Sequence, residues 1–166
     1  ALADFRNEPN TLIMMEGHGR NESLAGELDL SQTVGWFTNA FPFLLQKSEG
    51  GFQDQISEIK KAFQHLPNYG LGYGILKYIA PKYVKNIEVQ TLKPMVSFNY
   101  LGQYDGAEEH LFQADVISPD FSVSVNSPLL YSLNINGLIQ QKRLEFYFSY
   151  HDFEYSYETI KQITDQ

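Results

Sequence analysis

The sequence predicts a single α/β unit, and three observations carry that prediction. Apolar, β-branched runs of strand length recur at 11–16, 33–45 and 94–101, an amphipathic helix pattern fills 52–66, and an alternating pair of runs closes the chain before a last helix. With 166 residues, 43% of them hydrophobic and 19% charged, the chain has the apolar content for a core and lacks the composition of a disordered segment.

Taken in order, 1–6 have the composition of a helix end, and 7–10 form a polar turn around Pro9. The run 11–16 is a buried strand that delivers Glu16 and His18 to its end, where Gly17 and Gly19 permit unusual backbone angles. A polar loop over 21–31 leads to a second buried strand, 33–45, bent at its far end by Pro42. Gly50-Gly51 breaks the chain. Phe52, Ile56, Ile59, Phe63 and Leu66 then recur at helical spacing, and Pro67 stops them. The glycine-dense stretch 68–74 reads as a turn before a short helix at 75–80. A weak strand at 88–92 precedes a stronger one at 94–101, and 107–128 is an extended connector. The runs 129–139 and 143–150 form a hairpin with Leu144, Phe146, Phe148 and Tyr150 on one face. A helix at 157–163, with Ser156 as N-cap, ends the unit. No internal repeat or low-complexity tract interrupts it.

Composition narrows the function. Twelve Lys and Arg against 20 Asp and Glu give a net charge of −8, a poor basis for neutralising nucleic acid, so no nucleic-acid partner is expected. The absence of cysteine excludes a thiol nucleophile, a disulfide scaffold and thiolate zinc sites, and fits a reducing compartment. No apolar run approaches the roughly 20 residues of a membrane span, so a cytoplasmic protein without a membrane partner is expected. His18, His65, His110 and His151 have no metal-ligand spacing, hence no metal is expected. There is no serine nucleophile elbow and no phosphate-binding glycine-lysine loop.

Four segments remain: Glu16-Gly-His-Gly-Arg20, Ser31-Gln-Thr-Val-Gly-Trp-Phe-Thr38, Pro67-Asn-Tyr-Gly-Leu-Gly-Tyr-Gly74 and Phe98-Asn-Tyr-Leu-Gly-Gln103. Singly, each has an ordinary structural reading. The first is a tight turn with a solvated carboxylate, and the second is a core strand. The third lacks the dinucleotide fingerprint, because Ile75 stands where its last glycine would be. In the fourth, only one of Asn99 and Tyr100 can face the core.

Together and in this order, the four resemble the late core motifs of the epimerization domains of non-ribosomal peptide synthetases. That family carries Glu-Gly-His-Gly-Arg-Glu, Arg-Thr-Val-Gly-Trp-Phe-Thr followed by Tyr-Pro, Pro-x-x-Gly-x-Gly-Tyr-Gly, and Phe-Asn-Tyr-Leu-Gly-Gln. Here Asn21 replaces the Glu after Arg20, Gln32 the Arg before Thr33, and Phe41 the Tyr before Pro42. The resemblance implies a chloramphenicol acetyltransferase-like αβ sandwich lobe with a mixed sheet and flanking helices, one of two lobes that form a V around a tunnel. Residues 1–166 would be the C-terminal lobe. The family's His-His-x-x-x-Asp-Gly motif belongs to the other lobe, and no His-His pair occurs in this sequence.

The implied reaction takes a proton from Cα of an aminoacyl or peptidyl thioester and returns one to the opposite face. By resemblance Glu16 is the acid-base group of this lobe, and a histidine of the missing motif is its counterpart. A carboxylate in that role works best with its pKa raised by burial, which a strand end inside a closed tunnel could provide. Asn99 and Tyr100 are the candidates for stabilising the enolate oxygen, with Tyr100 also a conceivable proton donor. His18 and Arg20 are assigned structural or lobe-joining roles, Arg20 by pairing with a carboxylate of the other lobe, and Trp36 and Tyr73 are assigned to packing. No resident cofactor is implied. The substrate rides on the 4'-phosphopantetheine of a peptidyl carrier domain, and the other partners are the N-terminal lobe and neighbouring synthetase modules. An amide-forming condensation lobe and a non-catalytic carrier-docking lobe are the alternatives.

Overall fold

The computed structural model describes residues 2–21, 26, 28–83, 91–104 and 129–165. Five strands form one mixed sheet: β1 (Asn10–Gly17), β2 (Asn39–Gln46), β3 (Val96–Tyr104), β4 (Leu133–Gln140) and β5 (Arg143–Tyr150), in the spatial order β2-β1-β3-β4-β5. β1, β3 and β4 run parallel in the centre, and antiparallel β2 and β5 flank them. The helices are α1 (Leu2–Arg6), α2 (Phe52–Gln64), a single turn α3 (Leu71–Gly74) and α4 (Tyr157–Thr164). This is the α/β fold with a mixed sheet and flanking helices that the sequence led us to expect.

The pleat sorts the side chains. Register aligns Phe43, Ile13, Val96, Leu133 and Tyr150 across the sheet, then Phe41, Met15, Phe98, Ile135 and Phe148. These residues share the core with Ile160 and Ile163 of α4, and Phe63 of α2 stacks on Phe43 at 4.5 Å between ring centroids. Leu133 and Val96, at 0% and 2% exposure, sit at its centre, each burial contributing about 1.5–3 kcal/mol. The expected hairpin face of Leu144, Phe146, Phe148 and Tyr150 is the one that turns this way. The opposite face is polar, with Glu16, Ser97, Asn99, Asn134, Asn136 and Ser149 along its rows.

Several expectations need correction. The strand over 33–45 begins only at Asn39, and Val34 and Trp36 are 99% and 90% exposed. The 33–38 stretch is held as a loop by Arg20, described below, so β-propensity loses to a tertiary clamp. Pro42 does not bend the far end: it pairs with Met14 inside β2, an edge strand, where a missing N–H breaks no ladder on the solvent side. Residues 71–74 are helical rather than a turn, and 75–79 continue them as a wide π turn. The run 129–139 is strand only from Leu133, and β3 extends past Gly102 to Tyr104. The connector 107–128 and most of the weak strand at 88–92 lie outside the described residues.

Candidate functional site

Glu16 lies one residue from the carboxyl end of β1, where open α/β sheets usually present their chemistry. Pairing of β1 with β3 joins Ile13 to Val96, Met14 to Ser97 and Met15 to Phe98, where the pairing ends, so the alternation of the two strands puts Glu16 and Asn99 on the same, polar face. Tyr100 points to the other face, in the row of Gly137 and Phe146, and is half exposed. Glu16 and Asn99 thus share a face of the sheet, and Tyr100 lies on the other. Glu16 is exposed, so the enclosure expected around it is not supplied by the described residues.

The turn after Glu16 is built by its own residues. Gly19 has φ +69°, and a Cβ there would overlap the Phe37 carbonyl oxygen, so only glycine lets the two segments meet. Arg20 then donates to the Leu30 carbonyl at 2.8 Å and the Gly35 carbonyl at 3.4 Å, and its guanidinium lies 4.3 Å from the centre of the Phe37 ring. The Arg20 backbone N–H donates to His18 Nδ1 at 3.1 Å. That bond places the proton of a neutral His18 on Nε2. Arg20 therefore ties the loop that carries Trp36 to the turn after Glu16. The Trp36 indole is 90% exposed and meets no core among the described residues.

The third motif closes in from β2. Asn39, paired in register with Gly17, donates from Nδ2 to the Tyr69 carbonyl at 3.1 Å. Gly70, at φ +79°, lies so close over the Phe41 ring that a Cβ would collide with it. About two turns later Lys77 Nζ donates to the Tyr73 hydroxyl at 2.9 Å and lies 5.2 Å from the Tyr73 ring centre and 5.5 Å from that of Tyr78. Tyr131 joins these groups: burial raises its hydroxyl above the ordinary phenol range, the Glu16 charge adds to this, and Tyr78 and Tyr73 act likewise, while Lys77 opposes them. Sequence reasoning missed Lys77, Tyr78 and Tyr131. The i, i+4 spacing of Tyr73 and Lys77 was the available signal.

A cavity of about 560 Å³ opens on the other side of the sheet. It is lined by Phe98, Ile135, Phe146 and Phe148 with Phe52 and Ile163 of the helices, and includes none of the candidate residues. It is a gap in the helical layer.

The sequence profile of the condensation-domain family matches residues 1–166. The chain belongs to the condensation-domain family. Among the relatives of this condensation-domain chain is gramicidin S synthase 1 of Brevibacillus brevis, 36% identical over 175 residues, covering 99% of the chain and 16% of that protein. Bacitracin synthase 3 of Bacillus licheniformis is 34% identical over 167 residues, covering 98% and 2%. The chain thus spans a small part of the curated relatives it matches. Its fold superposes on the crystal structure of the epimerization domain from the third module of tyrocidine synthetase B with a TM-score of 0.78 and 27% identity, over 99% of the chain and 37% of that structure. A condensation domain concerned with chain release from the enacyloxin polyketide synthase matches with a TM-score of 0.58 and 10% identity, over 99% and 32%, a likeness of fold. No helix among the described residues is long and apolar enough to cross a membrane.

Proposed function

We propose that the chain is the C-terminal lobe of an epimerization domain of a non-ribosomal peptide synthetase, acting in the intact domain to convert an L-aminoacyl or peptidyl thioester to its D form. The observation that carries this reading is Glu16 at the carboxyl end of β1, on the polar face that Asn99 shares, and followed by the Gly19–Arg20 turn. The likeness to the tyrocidine synthetase epimerization domain, at a TM-score of 0.78 against 0.58 for the chain-release condensation domain, supports it.

A thioester acidifies its Cα–H, and removal of that proton leaves a flat enolate. Inversion then needs acid-base groups on both faces. Glu16 serves one face. The Asn99 side-chain amide, on the same face, is a donor for the developing oxyanion. An imidazole of the N-terminal lobe serves the other face. The phosphopantetheine arm arrives with the carrier domain as part of the substrate, and neither a metal nor a thiol enters the proton transfers. The upstream lobe, the carrier domain and adjoining modules are the partners.

The test loads a carrier domain with an L-aminoacyl group, adds the intact two-lobed protein and follows the D/L ratio. Glu16→Gln is expected to lower the rate by at least about 10²-fold; equilibration at the parent rate would remove Glu16 from the reaction. Residues 1–166 alone are expected to give no D product. The family's name favours a second reading, amide formation between two carrier-bound substrates. In the same assay with an acceptor-loaded carrier present, that reading yields a condensed product instead of a changed D/L ratio.

A further inference from the structure

We propose that Asn136 is a binding residue for a secondary amide of the carrier-bound substrate, its carboxamide hydrogen-bonding that amide while Glu16 works at Cα. The inference rests on the epimerization reading for the identity of the substrate and adds to it a contact that holds the chain.

Position comes first. Met15, Phe98 and Ile135 stand in one row on the parallel strands β1, β3 and β4, and Glu16, Asn99 and Asn136 each follow by one residue, on the opposite, polar face. Asn99 and Asn136 are paired directly, and Tyr147 of β5 pairs with Asn136 on its other side. β4 lies two strands from β1, roughly 10 Å by strand spacing, so one extended substrate can reach both Glu16 and Asn136.

The carboxamide of Asn136 is also unused by the fold. Asparagine is depleted in strands because its side chain competes for backbone bonds and packs poorly on a pleated surface. Yet β3 and β4, both interior strands, carry three on this face: Asn99, Asn134 and Asn136. Asn134 has a local use, since it accepts the Ser97 hydroxyl at 2.6 Å and donates to the Tyr131 carbonyl at 3.4 Å. Asn136, two residues on and also half-buried, has no side-chain hydrogen bond among the described residues, and its neighbour Asn99 has none either. Two N–H donors and a carbonyl acceptor are therefore open to a ligand.

The surroundings select the ligand's chemistry. The rows of Asn134 and Asn136 hold Met14, Ser97, Ser149, Asn99 and Tyr147, none of them charged. The carboxylate of β5, Glu145, already accepts the Tyr147 hydroxyl at 3.0 Å. A phosphate or an ammonium would be desolvated there without a counter-charge. A neutral group that donates and accepts is the match, and in a thioester on a pantetheine arm such groups are secondary amides. Two lie near Cα: the N-acyl amide of a peptidyl chain, and the first amide of the arm, beyond the sulfur and two methylenes.

The experiment uses the intact two-lobed protein and reads carrier affinity by titration, with three carriers: one without its arm, one loaded with L-alanyl and one with glycyl-L-alanyl. Asn136→Leu keeps the volume of the side chain and removes its bonding groups. It is expected to weaken binding about tenfold. A loss shared by both loaded carriers assigns the contact to the amide of the arm, and a loss confined to the dipeptidyl carrier assigns it to the N-acyl amide. Parent affinity for both loaded carriers, or an equal loss with the carrier that has no arm, overturns the proposal. Should Asn136→Leu fail to fold, Asn136→Ala, which removes the same groups and adds no bulk, is read in its place. Glu16→Gln runs alongside in the D/L assay. If it equilibrates the substrate at the parent rate while Asn136→Leu binds weakly, the Glu16 reading falls and the amide contact stands; if it is inactive while Asn136→Leu binds as the parent does, only the present proposal falls.

Discussion

At the residue scale, Asn68, Tyr69 and Gly70 adopt left-handed backbones in succession, at φ 47°, 53° and 79°. Two of the three carry side chains that disfavour this conformation, and the Asn39 bond and the Phe41 contact hold them there. Gly70→Ala is expected to cost about 1–3 kcal/mol, since it adds a strained φ and a clash with Phe41. Gly72→Ala should have the opposite sign: that glycine is helical, nothing would meet its Cβ, and a gain of about 0.5–1 kcal/mol should show in urea unfolding. Glycine density made 68–74 legible as a turn, yet a single member of the motif's three glycines needs positive φ. Sequence alone does not separate a glycine used for its angle from one used for nothing local. Glu16 was legible because its motif is continuous, whereas Lys77 was hidden in an ordinary helical run and acquired meaning through its bond to Tyr73.

At the element scale, the strongly periodic pieces came through. β1, α2, β5 and α4 fall where alternation or helical spacing put them, because each buries one face or stripe. The expected cap is also present: Ser156 Oγ accepts from the Thr159 N–H at 3.1 Å. Ser156→Ala is expected to destabilise by about 1 kcal/mol, seen as a lower Tm. The first half of 33–45 misled, since Val34, Trp36 and Phe37 have strand chemistry while Arg20, ten or more residues earlier, decides the backbone by binding two carbonyls. A second tether joins α1 to the end of β2, where Lys47 bonds Asp4 and holds its carboxyl below the ordinary value of 3.8. A carboxyl lowered in the fold contributes stability above its unfolded value and loses it as pH falls through the lower folded value. Acidification through and below pH 3.8 should therefore free α1 before the sheet yields, as increased amide exchange confined to 2–6.

At the scale of the whole molecule, the α/β class was readable but the strand order was not. The parallel neighbours β1, β3 and β4 are joined by long connections whose pairing no local pattern records. Parallel strands are ordinarily covered on both faces, and here the face bearing Glu16, Asn99, Asn134 and Asn136 is lined with groups suited to a polar ligand or partner. The single-motif readings left that face invisible, because burial of alternate residues says which side is core and leaves the other side's purpose open.

Trp36 is the sole tryptophan beside 11 Tyr and 12 Phe, it is 90% exposed, and it stands on the loop that Arg20 ties to the Glu16 turn. Light absorbed beyond the tyrosine band will therefore report from one place. Emission from the isolated chain should resemble free indole and be readily quenched by acrylamide; a blue-shifted, protected signal would contradict the exposed loop. Whatever settles on that rim will change the colour of the protein's fluorescence, giving an unlabelled optical gauge of contact at the loop that Arg20 ties to the Glu16 turn.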